Sequence, residues 1–190
     1  MASRRLTRHQ KSFPNIDTLM RFWPAFCLAL LAVSSPATAG ELFGGLYVHD
    51  VKTPLDKSGV ESGADVMLGW RGGSIGRSPL QPYLFGAVNT AGETNYAAVG
   101  LSAKFGRRVY VRPGLGLAVH TGSAKNFEDP TNGKVDFGSR VLFEPELGVG
   151  FQVNDRLSIE ASLVHLSHGQ LFGRQNPGMD NLGVRLNLKL

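Results

Sequence analysis

From Leu42 to the end of the chain, apolar and polar residues alternate with period two in short runs. Clusters of Gly, Pro, Asn and Asp separate the runs. Successive side chains of a β-strand point to opposite faces, so this pattern predicts strands and no helix. Eight runs are predicted, at Leu42–His49, Val60–Arg71, Leu80–Thr90, Asn95–Phe105, Arg108–Thr121, Ser139–Gln152, Arg156–Ser167 and Met179–Leu190. In the second run Ala64, Val66, Leu68 and Trp70 oppose Gly63, Asp65, Met67 and Arg71. In the fifth, Val109, Val111, Leu115, Leu117 and Val119 oppose Arg112, Gly114, Gly116 and His120. In the sixth, Val141, Phe143, Leu147, Val149 and Phe151 oppose Arg140, Glu144, Glu146 and Gln152. The last places Leu182, Val184, Leu186, Leu188 and Leu190 against Asn181, Gly183, Arg185, Asn187 and Lys189. The third run is apolar on both parities and does not discriminate.

Two architectures fit such strands. A soluble barrel or sandwich buries the apolar face, whereas a transmembrane barrel turns it to lipid and keeps a polar interior. Three features favour the membrane version. Many runs reach ten residues, about what a tilted strand needs to cross a bilayer. The polar parity carries both charge signs and many glycines, as a narrow filled lumen would. Connections also alternate in length: 52–59, 121–138 and 168–178 are long, while 105–108 and 153–156 are short. The connections 72–79 and 90–94 follow this rule less well. The expected fold is therefore all-β, an eight-stranded antiparallel transmembrane β-barrel of the outer membrane. Ala97, Leu117 and Val149 should face lipid, and Lys104, Glu146 and Arg185 the lumen. The rival, a secreted lipocalin-like carrier, requires the opposite orientation.

The N-terminus reads differently. Arg4, Arg5, Arg8, Lys11 and Arg21 precede a mostly apolar stretch over Phe22–Val33, and Ala37-Thr38-Ala39 is a small-residue cleavage pattern. Residues 1–39 are thus expected to be a secretory signal peptide, removed to leave a single barrel domain over 40–190. Met20 is an alternative start. The leader carries five of the 20 basic and one of the 15 acidic side chains, leaving 15 and 14, a net charge of +1. The basic character of the whole chain therefore belongs largely to its leader and argues against nucleic-acid binding. Cys27 leaves with the leader, so the mature chain has neither disulfide nor thiol chemistry.

Candidate chemistry sits at the last hairpin. His165 and Ser167 continue the apolar parity of Leu157, Ile159, Ala161 and Leu163, and Asp180 falls on the apolar parity of the following strand. One greasy face thus ends in the residue types of a nucleophile, its base and the group that orients the base. Two residues apart on a strand, His165 and Ser167 have Cα atoms roughly 6.6 Å apart. Asp180 can approach from the neighbouring strand, where opposed Cβ atoms lie about 4.5–5.5 Å apart. The loop between the strands leaves their register open. His49 and His120 lie near strand ends without such company and read as structural. No His, Cys or carboxylate cluster has metal-site spacing.

The residues His165-Leu166-Ser167-His168 and Asn176-Pro177-Gly178-Met179-Asp180 resemble the signature of the outer-membrane lipid A 3-O-deacylases, the PagL-like proteins. That signature runs His-x-Ser-Asn and then Asn-x-Gly-x-acid. The resemblance implies an eight-stranded barrel with a lipid-facing triad near its outer end, and a serine esterase that removes an acyl chain from lipid A. It makes Ser167 the nucleophile, His165 the base and Asp180 the acid, with Asn176 and His168 as loop support for the oxyanion. The chain departs from the pattern at His168, where Asn is usual, and at Asp180, where Glu is frequent. No cofactor or metal is implied. Lipid A of lipopolysaccharide is the expected substrate, outer-membrane lipid the surroundings, and a homodimer is kept open. Arg174 reads as a solvated loop charge or a contact to an anionic head group. The alternative function is a non-enzymatic small barrel serving structure or adhesion.

Overall fold

The computed structural model describes residues 40–54, 59–125, 133–171 and 177–190. The expected signal peptide, Arg174 and Asn176 lie outside the described residues. The strands are β1 (Glu41–Val48), β2 (Ala64–Arg71), β3 (Leu80–Asn89), β4 (Tyr96–Ala103), β5 (Phe105–Gly106), β6 (Val109–His120), β7 (Val141–Gln152), β8 (Leu157–Leu166) and β9 (Met179–Lys189). The two-residue β5 continues β4 beyond Lys104, since both pair with β6. The barrel therefore has eight staves. Every stave is antiparallel to its neighbours, in the order β4-β3-β2-β1-β9-β8-β7-β6, and the β4–β6 pairing closes the ring. Closure leaves no unpaired edge, which is what lipid demands of a spanning sheet.

The predicted runs correspond one to one with the staves. The largest boundary difference lies in the second, where pairing starts at Ala64 and not at Val60. The amides of Val60 and Glu61 each donate to the Asp50 carboxylate at 2.8 Å, and Gly63 takes φ +104°, so this segment cannot join the ladder.

The alternation has the membrane sense. Leu117, Val149, Leu182, Val184, Leu186 and Leu188 are exposed outside, whereas Arg71, Arg112, Arg185, Glu144, Glu146 and Glu160 are buried inside. The third run resolves in the same way, with Leu84 outward and Tyr83, Phe85 and Ala87 inward. The lumen is filled and has two zones. In one half the charges pair: Arg185 Nε meets Glu160 at 2.6 Å and Arg185 Nη1 meets Glu146 at 2.9 Å. Arg71 and Arg112 share Glu41. Burying so many charges is tolerable because the arginines are paired with carboxylates, while Glu144 accepts from the Tyr83 hydroxyl. Inward glycines make the room, since a Cβ at Gly150 would lie 2.1 Å from the Tyr110 ring. Towards the other end the filling is apolar and aromatic, with Tyr96, Phe137, Leu142, Leu166 and Met179 all buried.

The connections 49–63, 90–95, 121–140 and 167–178 emerge at that second end, and the shorter turns 72–79, 107–108 and 153–156 at the other. By the loop-length asymmetry of such barrels, the first set is the outer rim.

Candidate active site at the outer rim

The pairing of β8 with β9 sets Glu160 opposite Arg185, Leu163 opposite Leu182 and His165 opposite Asp180. This is the register that the sequence left open. Facing residues share a side of the sheet, and the side here is the lipid-facing one, as Leu163 and Leu182 indicate. His165 Nδ1 lies 2.6 Å from Asp180 Oδ1. The carboxylate is fully buried, while the histidine side chain keeps 16 % of its exposure. A carboxylate at Nδ1 makes that nitrogen the N–H donor, leaving the Nε2 lone pair to accept a proton.

Ser167 follows β8. Its amide donates to Phe143 O at 3.1 Å and its carbonyl accepts from Phe143 N at 2.7 Å. Phe143 belongs to the outward parity of β7, so Ser167, its partner in the bridge, lies on the same lipid-facing side as His165. Among the described residues Ser167 Oγ makes no hydrogen bond to the imidazole. Pairs of this kind are commonly loose before substrate is bound. The structure thus joins His165 to Asp180 and sets Ser167 two residues on.

His168 is fully buried, and its carbonyl accepts the N–H of Leu171 at 3.0 Å. Gly169 and Gln170 between them have φ +59° and +62°, a tight turn of the type with two left-handed central residues. Gly178, with φ +74°, packs against the base: a Cβ there would lie 3.0 Å from His165 Cε1.

Three features of the rim escape a reading of the sequence. Thr53 Oγ1 donates to Asp180 Oδ2 from the β1–β2 connection. That connection is itself organised by His49, which has two carboxylates as company: Nδ1 lies 2.9 Å from Asp65 and Nε2 3.1 Å from Glu61. Burial works against the charge on His49, but the hydrogen bonds to Asp65 and Glu61 outweigh it and raise its pKa to about 9. The sequence reading leaves His49 without such company, because the cluster around it has no short-range signal. The third is a shallow apolar groove of about 330 Å³ on the lipid face, lined by Val99, Leu101, Leu115, Leu117 and Phe143. Phe143, Leu117 and Val99 stand in one cross-strand row, and Phe143 is the partner of Ser167.

A closed eight-stave barrel with an apolar outer belt and a charged, filled lumen is an outer-membrane protein of a Gram-negative bacterium. Residues 55–189 match the family model of the lipid A 3-O-deacylases (PagL), and the chain belongs to that family. It is accordingly an outer-membrane lipid A deacylase, a hydrolase whose substrate is a lipid. Among solved structures, it is similar to the crystal structure of the outer membrane enzyme PagL, with TM-score 0.54, 16 % identity and coverage of 79 % of this chain and 99 % of that one. The N-terminal β-barrel domain of Pseudomonas aeruginosa OprF matches with TM-score 0.52 and 12 % identity, over 81 % of this chain and all of that one. A de novo designed transmembrane β-barrel matches with TM-score 0.53 and 10 % identity, over 82 % and 98 %. At these identities the likenesses concern the fold. No curated protein sequence matches the chain at a significant level.

Proposed function

We propose that this chain is a serine esterase that hydrolyses the 3-O-linked acyl ester of lipid A, with Ser167 as nucleophile, His165 as base and Asp180 as the acid that orients it. The observation that carries this reading is the 2.6 Å bond between His165 and Asp180 on the lipid-facing side of the rim, with Ser167 two residues away. A surface histidine–carboxylate pair alone is common, but one that faces lipid beside a serine has little structural use there.

In the proposed reaction Ser167 Oγ attacks the ester carbonyl carbon while its proton passes to His165 Nε2. Asp180 stabilises the resulting imidazolium and holds the ring in place. The tetrahedral intermediate collapses by expelling the sugar alkoxide, which takes the proton from Nε2. An acyl group is then on Ser167 Oγ. Water attacks it, with Nε2 again taking and returning the proton, and the fatty acid departs. Asn176 is proposed to attend the oxyanion from its loop. The substrate's acyl chain already lies in the leaflet that the site faces. The groove beside Phe143 would receive it, so its desolvation cost is largely met before binding.

The test is mass spectrometry of lipid A from cells producing the protein or its variants. Ser167→Ala and His165→Ala should each leave lipid A fully acylated, with losses that do not add because the two act as one unit. Asp180→Ala should be milder, since the imidazole can still accept a proton. Heat-modifiable gel mobility reports the folded barrel for each variant. Normal deacylation by folded Ser167→Ala would overturn the mechanism, and unchanged lipid A with the wild-type protein would favour a non-enzymatic barrel.

A further inference from the structure

Asp180 offers two carboxylate oxygens, and only one faces the base. Oδ1 bonds His165 Nδ1, while Oδ2 accepts the hydroxyl of Thr53, a residue 127 positions away in sequence. A donor on the second oxygen of a buried carboxylate offsets part of its desolvation cost. A carboxylate held at one oxygen can also swing about its own bond and lose alignment with the ring. Thr53 occupies the position that prevents this.

The described residues of the loop bringing Thr53 to this point are held by several hydrogen bonds. Asp50, with φ +49°, turns the chain as β1 ends. Its carboxylate accepts the amides of Gly59, Val60 and Glu61 at 3.1, 2.8 and 2.8 Å, closing the loop on itself. Its own amide donates to Asn181 Oδ1 at 3.0 Å, and the next amide, of Val51, donates to Asp180 O at 2.7 Å. The loop therefore grips both residues of the Asp180-Asn181 pair just before Thr53. Pro54 follows Thr53 and restricts its backbone to extended conformations. The β-branch of threonine limits χ1 as well. On the far side Glu61 accepts from Thr94 and from the amide of Val135, tying the loop to two others.

We propose that Thr53 is a positioning residue of the active site: its hydroxyl clamps Asp180 so that the other carboxylate oxygen stays aligned on His165, and the β1–β2 loop exists in part to deliver it. This rests on the proposed triad. Thr53 is not a nucleophile, and it reaches the base through its bond to Asp180.

The experiment is a double-mutant cycle in the full-length protein, measuring kcat and KM for fatty-acid release from purified lipopolysaccharide in detergent. Thr53→Val keeps the shape and removes the hydroxyl. It should lower kcat by about 10- to 100-fold, the worth of a hydrogen bond to a charged group, with KM unchanged. Thr53→Ser should restore most of the rate. In an Asp180→Ala background, adding Thr53→Val should change the rate by no more than about 2-fold, because nothing remains to be clamped. The inference is overturned if Thr53→Val keeps wild-type kcat while Ser167→Ala is dead, or if it raises KM alone. It is also overturned if it costs the same factor with and without Asp180. Should neither Thr53→Val nor Thr53→Ala form the barrel while Thr53→Ser does, the hydroxyl serves folding and the positioning role falls. Full activity of folded Ser167→Ala would remove the triad itself, an outcome distinct from all of these.

Discussion

The imidazole of His165 is held at one edge by Asp180 and crowded at another by Gly178. A methyl group added at Gly178 would start 3.0 Å from Cε1 and 3.8 Å from Nε2. Because Nδ1 is bonded to a fully buried carboxylate at 2.6 Å, the ring cannot retreat as a whole. It would turn about that bond, carrying Nε2 by a few tenths of an ångström relative to Ser167. A misplacement of about 1 Å costs on the order of 10²-fold in rate, so this smaller shift should cost about 5- to 10-fold in kcat. Alanine at φ +74° also adds about 1–2 kcal/mol of backbone strain. Gly178→Ala should therefore remain a folded barrel, with a slightly lower urea midpoint and a clear kinetic defect. Fatty-acid release from lipopolysaccharide gives kcat, and heat-modifiable mobility checks folding. Placing the same substitution in His165→Ala should cause no further kinetic loss. Wild-type kcat in folded Gly178→Ala would refute the view that this edge holds the working histidine.

The charged zone of the lumen makes a different demand. Arg185→Ala removes the bonds to Glu160 and Glu146 and leaves these carboxylates the longer contacts to Arg112 at 3.6 Å and Arg71 at 3.4 Å. Breaking a buried pair in this way costs about 3–5 kcal/mol, to be read from urea unfolding in lipid vesicles; an unchanged midpoint would mean that the network contributes nothing. Where that variant folds, deacylation should be near normal, since Arg185 lies five residues from Asp180 along β9, roughly 16 Å. The pH dependence of the rim follows from His49, whose folded pKa of about 9 lies above its ordinary 6.5. A raised value contributes stability that is complete below about 6.5 and is lost as pH rises through about 9. Glu61 is lowered, because bonds from His49, Val135 and Thr94 outweigh burial, so its contribution is lost only in acid, below its ordinary 4.5. Proteolytic nicking of the 49–63 loop should accelerate between pH 7 and 9.5, and His49→Gln should flatten that dependence. An identical slope in the variant would refute the assignment.

Period-two alternation is a local property, dictated by the backbone, so the number of strands and the sense of every face but that of the third run were open to reading from the residues alone. The same parity placed His165, Ser167 and Asp180 on one side, because each belongs to or directly continues a strand whose remaining members declare its lipid face. The limits of β2 were not readable. They depend on Asp50 capturing three amides across the loop, a contact that no strand propensity encodes. Register was closed to inspection as well, since the residues between Ser167 and Met179 could have joined β8 to β9 at several offsets. Only the packed barrel, with Arg185 meeting Glu160 and Gly183 making room for Tyr47, selects the offset that sets Asp180 on His165. Thr53 lies furthest from any sequence signal. A threonine before a proline is ordinary loop composition, and its meaning arises because β1 and β9 are neighbours through closure of the barrel. Alternation is local and survives in the sequence; the pairing of distant strands is a cooperative result of closing the sheet, and that closure is what completes the site.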